Sequence, residues 1–243
     1  MSYLKLKRSQ FIMGAFVSFS LFAVLVPSID LAVSRFFFNG VAFPGGAWWV
    51  KLQQDLLTLF LSITMLSVVL VYAWNRLLRQ HVLNIDGRRV LYLALVLIIG
   101  AGLIVNAGFK NNVGRARPRD VAEFGGSRMF TPAYVVSGEC RTNCSFSSGD
   151  AAAGFFTIAL VMALRGRRVY YVAAGALGVV ISIFRLAAGA HFFSDIVVSF
   201  FVMLIVSDVL FHYMIAIPSE RKMPSSMGEE LASDPASARD DGR

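Results

Sequence analysis

Six apolar runs near membrane-spanning length divide this chain, and any fold it adopts must place all of them. They fall at about Phe11–Ile29, Leu56–Trp74, Val90–Phe109, Ala151–Leu164, Val169–Ala188 and Ile196–Ile217. A bilayer core about 30 Å thick takes roughly 20 helical residues. The fourth run falls short and reaches span length only by borrowing from its flanks. Of the 243 residues 56% are hydrophobic and 21 are Phe, and the mean hydropathy is +0.64, more than a soluble domain needs. Backbone polar groups in lipid must be satisfied within the span, so runs of this length predict an all-α, integral membrane bundle of six helices. The first run follows Lys5, Lys7 and Arg8, as the core of a signal peptide would. Pro27 and Asp30 make a poor cleavage context, however, and the rest of the pattern works best with six spans.

Charge sets the topology. The net charge of +8 would suit a nucleic-acid partner, but the cations sit in short clusters between apolar runs, which fits lipid headgroups and membrane orientation better. Lys5, Lys7 and Arg8, then Arg76, Arg79, Arg88 and Arg89, then Arg165, Arg167 and Arg168, then Arg221 and Lys222 mark alternate connections. These are expected to be cytoplasmic, with both termini inside. The first outer loop, about Asp30 to Asp55, carries Trp48 and Trp49, suited to an interfacial aromatic belt. Residues 1–218 then form one membrane domain. Residues 219–243, rich in Ser, Pro and charge, read as a disordered cytoplasmic tail.

The loop from Lys110 to Asp150 breaks the charge rule. It belongs outside, yet it holds Lys110, Arg115, Arg117, Arg119, Arg128 and Arg141; binding a polyanion would explain them. Cys140 and Cys144 also lie here, and they are the only cysteines. They are either free or bridged, and an oxidising compartment favours the bridge. Two thiols without nearby His do not complete a zinc shell, so no metal site is expected.

Three polar islands fall at the same outer ends of the spans: "KNNVGRARPRD" after the third, "CSFSSGDAAAGF" entering the fourth, and "FRLAAGAHFFSD" between the fifth and sixth. Lys110, Arg117 and Arg185 supply cationic donors, and the Arg fork matches phosphate oxygens. Ser148 and Gly149 stand at a helix start, where free N–H groups and the dipole favour an anion. His191 is a candidate nucleophile toward phosphorus. Asp195, one helical turn on, is placed to orient its ring. Asn106, a turn before Lys110, is placed to support the site from below. Elsewhere, Asp208 and His212, four apart in the sixth run, read as a helix-packing pair, and His81 as a solvated loop residue.

Lys110…Arg117-Pro118, Ser148-Gly149 and Arg185…His191…Asp195 together resemble the motifs of the type 2 phosphatidic acid phosphatase (PAP2) superfamily, which shares its site with vanadium haloperoxidases. The resemblance spans Lys110 to Asp195 in motif and all six runs in architecture. It implies a metal- and cofactor-independent phosphoryl transfer. His191 would form a phosphohistidine and Asp195 would orient it. Lys110, Arg117, Arg185 and the Ser148-Gly149 backbone would hold the phosphate, and water would release it. Two positions depart from the family. Asp150 stands where the family carries a proton-donating His, so either Asp150 donates that proton or the leaving group needs little help. Phe184 replaces the family Ser before the third-motif Arg. The acidic middle motif and its "CSF.SG" context are similar to bacterial lipid A 1-phosphatases, which implies a lipid substrate, no obligatory protein partner, and an inner-membrane enzyme with a periplasmic site. Phosphatidylglycerophosphate and undecaprenyl diphosphate are rival substrates. A lipid phosphotransferase and a non-enzymatic transporter are rivals of other classes, though a transporter would carry its charges near the midplane.

Overall fold

The computed structural model describes residues 2–44 and 48–216, with the side chains of the first few left aside. Among them, besides three single-turn 3-10 helices, are seven longer helices: α1 (Ser2–Leu25), α2 (Ser28–Phe37), α3 (Trp48–Leu78), α4 (Gly87–Lys110), α5 (Gly149–Ala163), α6 (Arg168–Ala187) and α7 (Phe193–Ala216). From Val96 onward α4 winds as a wider π-helix. The tail expected over 219–243 lies outside the described residues.

Five of these helices are long and apolar enough to span a membrane, and the chain is a multi-pass, all-helical membrane protein. The boundaries move for local reasons. Pro27 removes a backbone donor and ends the first run early. The chain then turns into α2, a short helix where an irregular outer loop was expected. Asp86 starts α4 by accepting the Arg89 N–H at 3.0 Å, an N-cap contact. The fourth run gains almost nothing from its flanks. With 15 residues, α5 is about 22 Å long. It need not match the bilayer, because it is the central helix, packed on α4, α6 and α7 and buried along most of its length.

Small residues let these helices approach, as is usual where lipid removes a hydrophobic drive between helices. A Cβ on Gly154 would lie 3.2 Å from Gly178 Cα, and one on Gly178 would overlap the Phe155 ring at 2.2 Å. The outermost helices, α1 and α3, present mostly exposed apolar faces.

The helices alternate in direction. Asp208, near the far end of α7, accepts from Arg8 and, at 2.6 Å, from Ser9 Oγ of α1. This corrects the expected pairing with His212, whose ring instead meets Tyr213. An aspartate four residues away on its own helix loses to a guanidinium brought in from a neighbouring one. At the opposite end Ser20 Oγ and Tyr134 Oη lie 2.8 Å apart, tying α1 to the loop between α4 and α5. That loop folds as a cap over the bundle end where α4 finishes, α5 begins, and α6 turns into α7. Phe38, Phe43 and Phe124 form an aromatic trio there with centroids 5.2–5.3 Å apart.

Candidate active site

All three polar islands meet at this capped end. The turn between α6 and α7 is tight. Gly189 has φ +58°, and a Cβ there would press to 2.5 Å from the Phe43 ring, so only glycine fits. Two residues on, His191 is 1% exposed. Its Nδ1 lies 2.7 Å from the Ser145 carbonyl oxygen. A carbonyl only accepts, so Nδ1 carries the proton and Nε2 keeps its lone pair. Burial above all, and then the charge of Arg117, holds the imidazole below its ordinary 6.5 at about 4, against the pull of Asp195. The ring is therefore neutral near pH 7, the form a nucleophile needs.

Asp195 was expected to receive the ring N–H itself. Its Oδ2 stands 3.7 Å from Nδ1, beyond hydrogen-bond range, and the Ser145 carbonyl takes that place. Asp195 instead binds Ser145 through the side chain, accepting from its Oγ. It also reaches back to the Phe192 N–H at 2.8 Å, which satisfies a free donor at the start of α7. Asp195 thus acts on His191 through charge and through the residue that holds the ring.

Behind Asp195 lies a group that sequence reasoning did not single out. Arg115 is wholly buried. Its Nη1 meets Asp195 Oδ1 at 2.5 Å and Ser194 Oγ at 3.0 Å, and its Nη2 meets Asp30 Oδ2 at 2.8 Å. Its Nε donates to the Thr131 carbonyl at 2.8 Å, and the guanidinium lies 4.2 Å from the centroid of Phe192. Asp30 also accepts from the Ser194 N–H and hydroxyl at 2.8 and 2.6 Å. One guanidinium between two carboxylates, with a partner on each of its three nitrogens, is the form in which buried charge is tolerated. The signals were an aspartate directly after the first apolar run and an extra arginine two residues before Arg117.

The cradle in front of His191 differs, because its cations are not fully satisfied. Arg185 is 3% exposed. Its Nε lies 3.0 Å from Asp150 Oδ2 as an ion pair, and its Nη1 has no hydrogen-bond partner. Arg117 donates from Nε and Nη2 to the Asn143 carbonyl at 3.1 and 2.7 Å. Asn143 sits inside the ring closed by the Cys140–Cys144 disulfide, which is formed. Burial, and then the charges of Arg119 and Arg185, push Arg117 down to about 10, still protonated at neutral pH. Lys110 ends α4 within electrostatic reach of Arg117, Arg185 and Asp150.

Ser148 caps α5, accepting the Ala151 N–H at 3.3 Å, so the cap is not Asp150. The N–H groups of Gly149 and Asp150 have no acceptor among the described residues, and the buried Ser147 Oγ has no partner. A Cβ on Gly149 would sit 3.0 Å from Asn106 Oδ1 and 3.5 Å from Lys110 Nζ, which places Asn106 against this helix start. Asp150 Oδ2 accepts from Gln54 Nε2 of α3 at 3.1 Å. Beside Gln54 and Arg185, an apolar groove of about 450 Å³ runs between α3 and α6, walled by Trp48, Trp49, Leu56, Phe60, Val180 and Phe184. Among the described residues no group of three or more His, Cys, Asp or Glu side chains gathers as a metal cage would.

The structure thus brings together every site residue read from the sequence: Lys110, Arg117, Ser148, Gly149, Asp150, Arg185, His191 and Asp195. A cluster of cations, free helix-start N–H groups and one neutral imidazole can bind a phosphate and attack it.

Known proteins resemble this chain. The chain is 32% identical over 205 residues to a lipid A 4'-phosphatase of Francisella tularensis subsp. novicida (strain U112), covering 78% of this chain and 89% of that one. It is 32% identical over 201 residues to a lipid A 4'-phosphatase of Rhizobium leguminosarum, covering 76% and 86%. These relatives bear the name of the 4'-enzyme and not the 1-phosphatase that the sequence pointed to. A solved transmembrane PAP2 type phosphatidylglycerolphosphate phosphatase from Bacillus subtilis aligns at a TM-score of 0.48 and 18% identity over 87% of this chain and 97% of that one. The PAP2 superfamily model matches residues 91–217, and the chain belongs to that superfamily of membrane phosphatases.

Proposed function

We propose that this protein removes the 4'-phosphate of lipid A at the outer face of a bacterial inner membrane, through a phosphohistidine on His191. The observation that carries the phosphatase chemistry is Arg185: nearly inaccessible, beside two more cations, and with Nη1 unpartnered. Buried guanidinium donors are rarely left idle, and a phosphate dianion would satisfy them. The choice of the 4' position over the 1 position rests on the names of the relatives. The apolar groove between α3 and α6 suits an acyl chain, since its wall residue Phe184 immediately precedes Arg185.

In this reading Lys110, Arg117, Arg185 and the N–H groups at the start of α5 hold the three phosphoryl oxygens. Nε2 of His191 attacks in line, and the ring takes positive charge that Asp195 offsets from 3.7 Å. A 4'-oxygen leaves as an ordinary secondary alcohol and needs a proton. Asp150 stands at the cradle with Oδ2 engaged and Oδ1 without a partner among the described residues; once the bound phosphate takes over Arg185, Oδ1 takes up a solvent proton and passes it to the leaving oxygen. Water then hydrolyses the phosphohistidine. The cationic clusters at the other end of the bundle favour an outward-facing site.

The test is phosphate release from bisphosphorylated lipid A by purified protein in micelles, with mass spectrometry to locate the lost group. Loss from the 4' position by wild type, and none by His191→Ala, is the expected result. Turnover by His191→Ala, or loss from the 1 position alone, would overturn the nucleophile or the position respectively.

A further inference from the structure

The cap holds a second polar pocket, of about 480 Å³, that the chemistry above does not use. Arg119, Arg128 and Arg141 line it, with Asp120, Glu139 and Thr142. Its walls are fixed by backbone. Ala122 N–H donates to the Arg128 carbonyl and Arg128 N–H to the Asp120 carbonyl, each at 2.9 Å. A Cβ on Gly126 would meet that Asp120 oxygen at 2.1 Å, so the turn admits no side chain. The Cys140–Cys144 bridge closes the opposite wall.

The carboxylates here are engaged: Asp120 pairs with Arg119 at 3.9 Å, and Glu139 accepts the Met129 N–H at 3.0 Å. The guanidinium groups of Arg128 and Arg141 have no carboxylate partner among the described residues. The pocket also adjoins the cradle. Arg119 is two residues from Arg117, and its charge reaches both Arg117 and Arg185. Asn143, whose carbonyl holds Arg117, follows Thr142 of the pocket wall. Unpaired arginines on the outer loop run against the usual bias in membrane topology, and a bound anion accounts for them.

We propose that this pocket is a second anion subsite, holding another phosphate or a sugar carboxylate of the same headgroup while the cradle holds the phosphate to be cleaved. The inference rests on the lipid phosphatase reading and adds a selectivity to it: the enzyme prefers headgroups with at least two anionic groups. Arg128 and Arg141 grip the second anion, and Arg119 links the two sites.

The experiment compares wild type with the double variant Arg128→Gln/Arg141→Gln, neither residue touching the cradle. Three substrates are used: bisphosphorylated lipid A, its counterpart with the 4'-phosphate alone, and that counterpart bearing carboxylate sugars. Wild type is expected to favour a polyanionic substrate at least tenfold in kcat/KM, mainly through KM. The variant is expected to lose that preference while keeping its rate on the single-phosphate lipid. Whichever polyanion loses its advantage identifies the anion bound. Equal losses on all three substrates, or no loss on any, would overturn the subsite. No hydrolysis of any substrate by wild type would instead refute the phosphatase reading itself.

Discussion

Lowering the pH should destabilise the protein through His191, by an amount the structure sets. The imidazole sits at about 4 in the fold against an ordinary 6.5. Between those values the unfolded chain binds a proton that the folded chain refuses. Stability therefore rises with pH across this window, is fully present above about 6.5, and is lost as pH falls toward 4. At about 1.4 kcal/mol per unit, the loss from this residue is about 3 kcal/mol. For a chain of this size that corresponds to a fall in Tm of roughly 6–12 °C. Carboxylates titrate nearby, so the measurement is a difference. Tm in detergent is followed from pH 7 to pH 4 for wild type and for His191→Gln, which keeps a side-chain donor for the Ser145 carbonyl but has no proton to gain. Wild type should lose more stability than the variant across the window. Superimposable curves would show that burial does not hold the ring neutral. A neutral nucleophile also predicts that the pH profile of phosphohistidine formation shows no histidine limb at 6–7.

Three further perturbations probe other parts of the site. Asp150→Asn should slow a secondary-alkyl phosphate lipid by about 10²-fold or more and an aryl phosphate little, and equal loss on both would remove the proton-donor role. Gly149→Ala forces a Cβ to 3.0 Å from Asn106 Oδ1 and should weaken vanadate inhibition roughly tenfold, whereas an unchanged inhibition constant would mean the helix start does not hold the anion. Arg115→Gln leaves Asp30 and Asp195 buried without their shared cation and should cost about 3–5 kcal/mol of stability; a wild-type Tm would show that water or another donor replaces it.

The succession of membrane helices was legible because hydrocarbon enforces it: apolar length follows from the solvent alone. The same count brought Lys110, Ser148, Arg185 and His191 to one end of the bundle before any geometry was known. Partnerships were not legible. Asp208 looked paired with His212 because spacing on one helix is visible in a sequence, while Arg8, 200 residues away, is not. Asp30 and Arg115 were missed for the same reason, since only the fold decides which of several cations meets which of several carboxylates. The hydrogen bond on His191 went unread because its acceptor is a backbone carbonyl, and every residue has one. The helix α2 was read as loop because ten residues starting after a proline carry too little apolar length to stand out.

The Asp30–Arg115–Asp195 bridge has a consequence for how the protein matures. Its three members come from α2, the loop after α4, and α7, and during synthesis they enter the membrane in that order. Asp30 arrives long before its cation, and Arg115 before its second carboxylate. Until α7 inserts, these charges have only water or headgroups as partners. The contact that fixes Ser145, and through it the histidine ring, therefore forms last. A nascent chain already exposing Lys110 and Arg117 to the surrounding lipids would remain chemically silent, and the arrival of α7 would act as the switch that arms the enzyme.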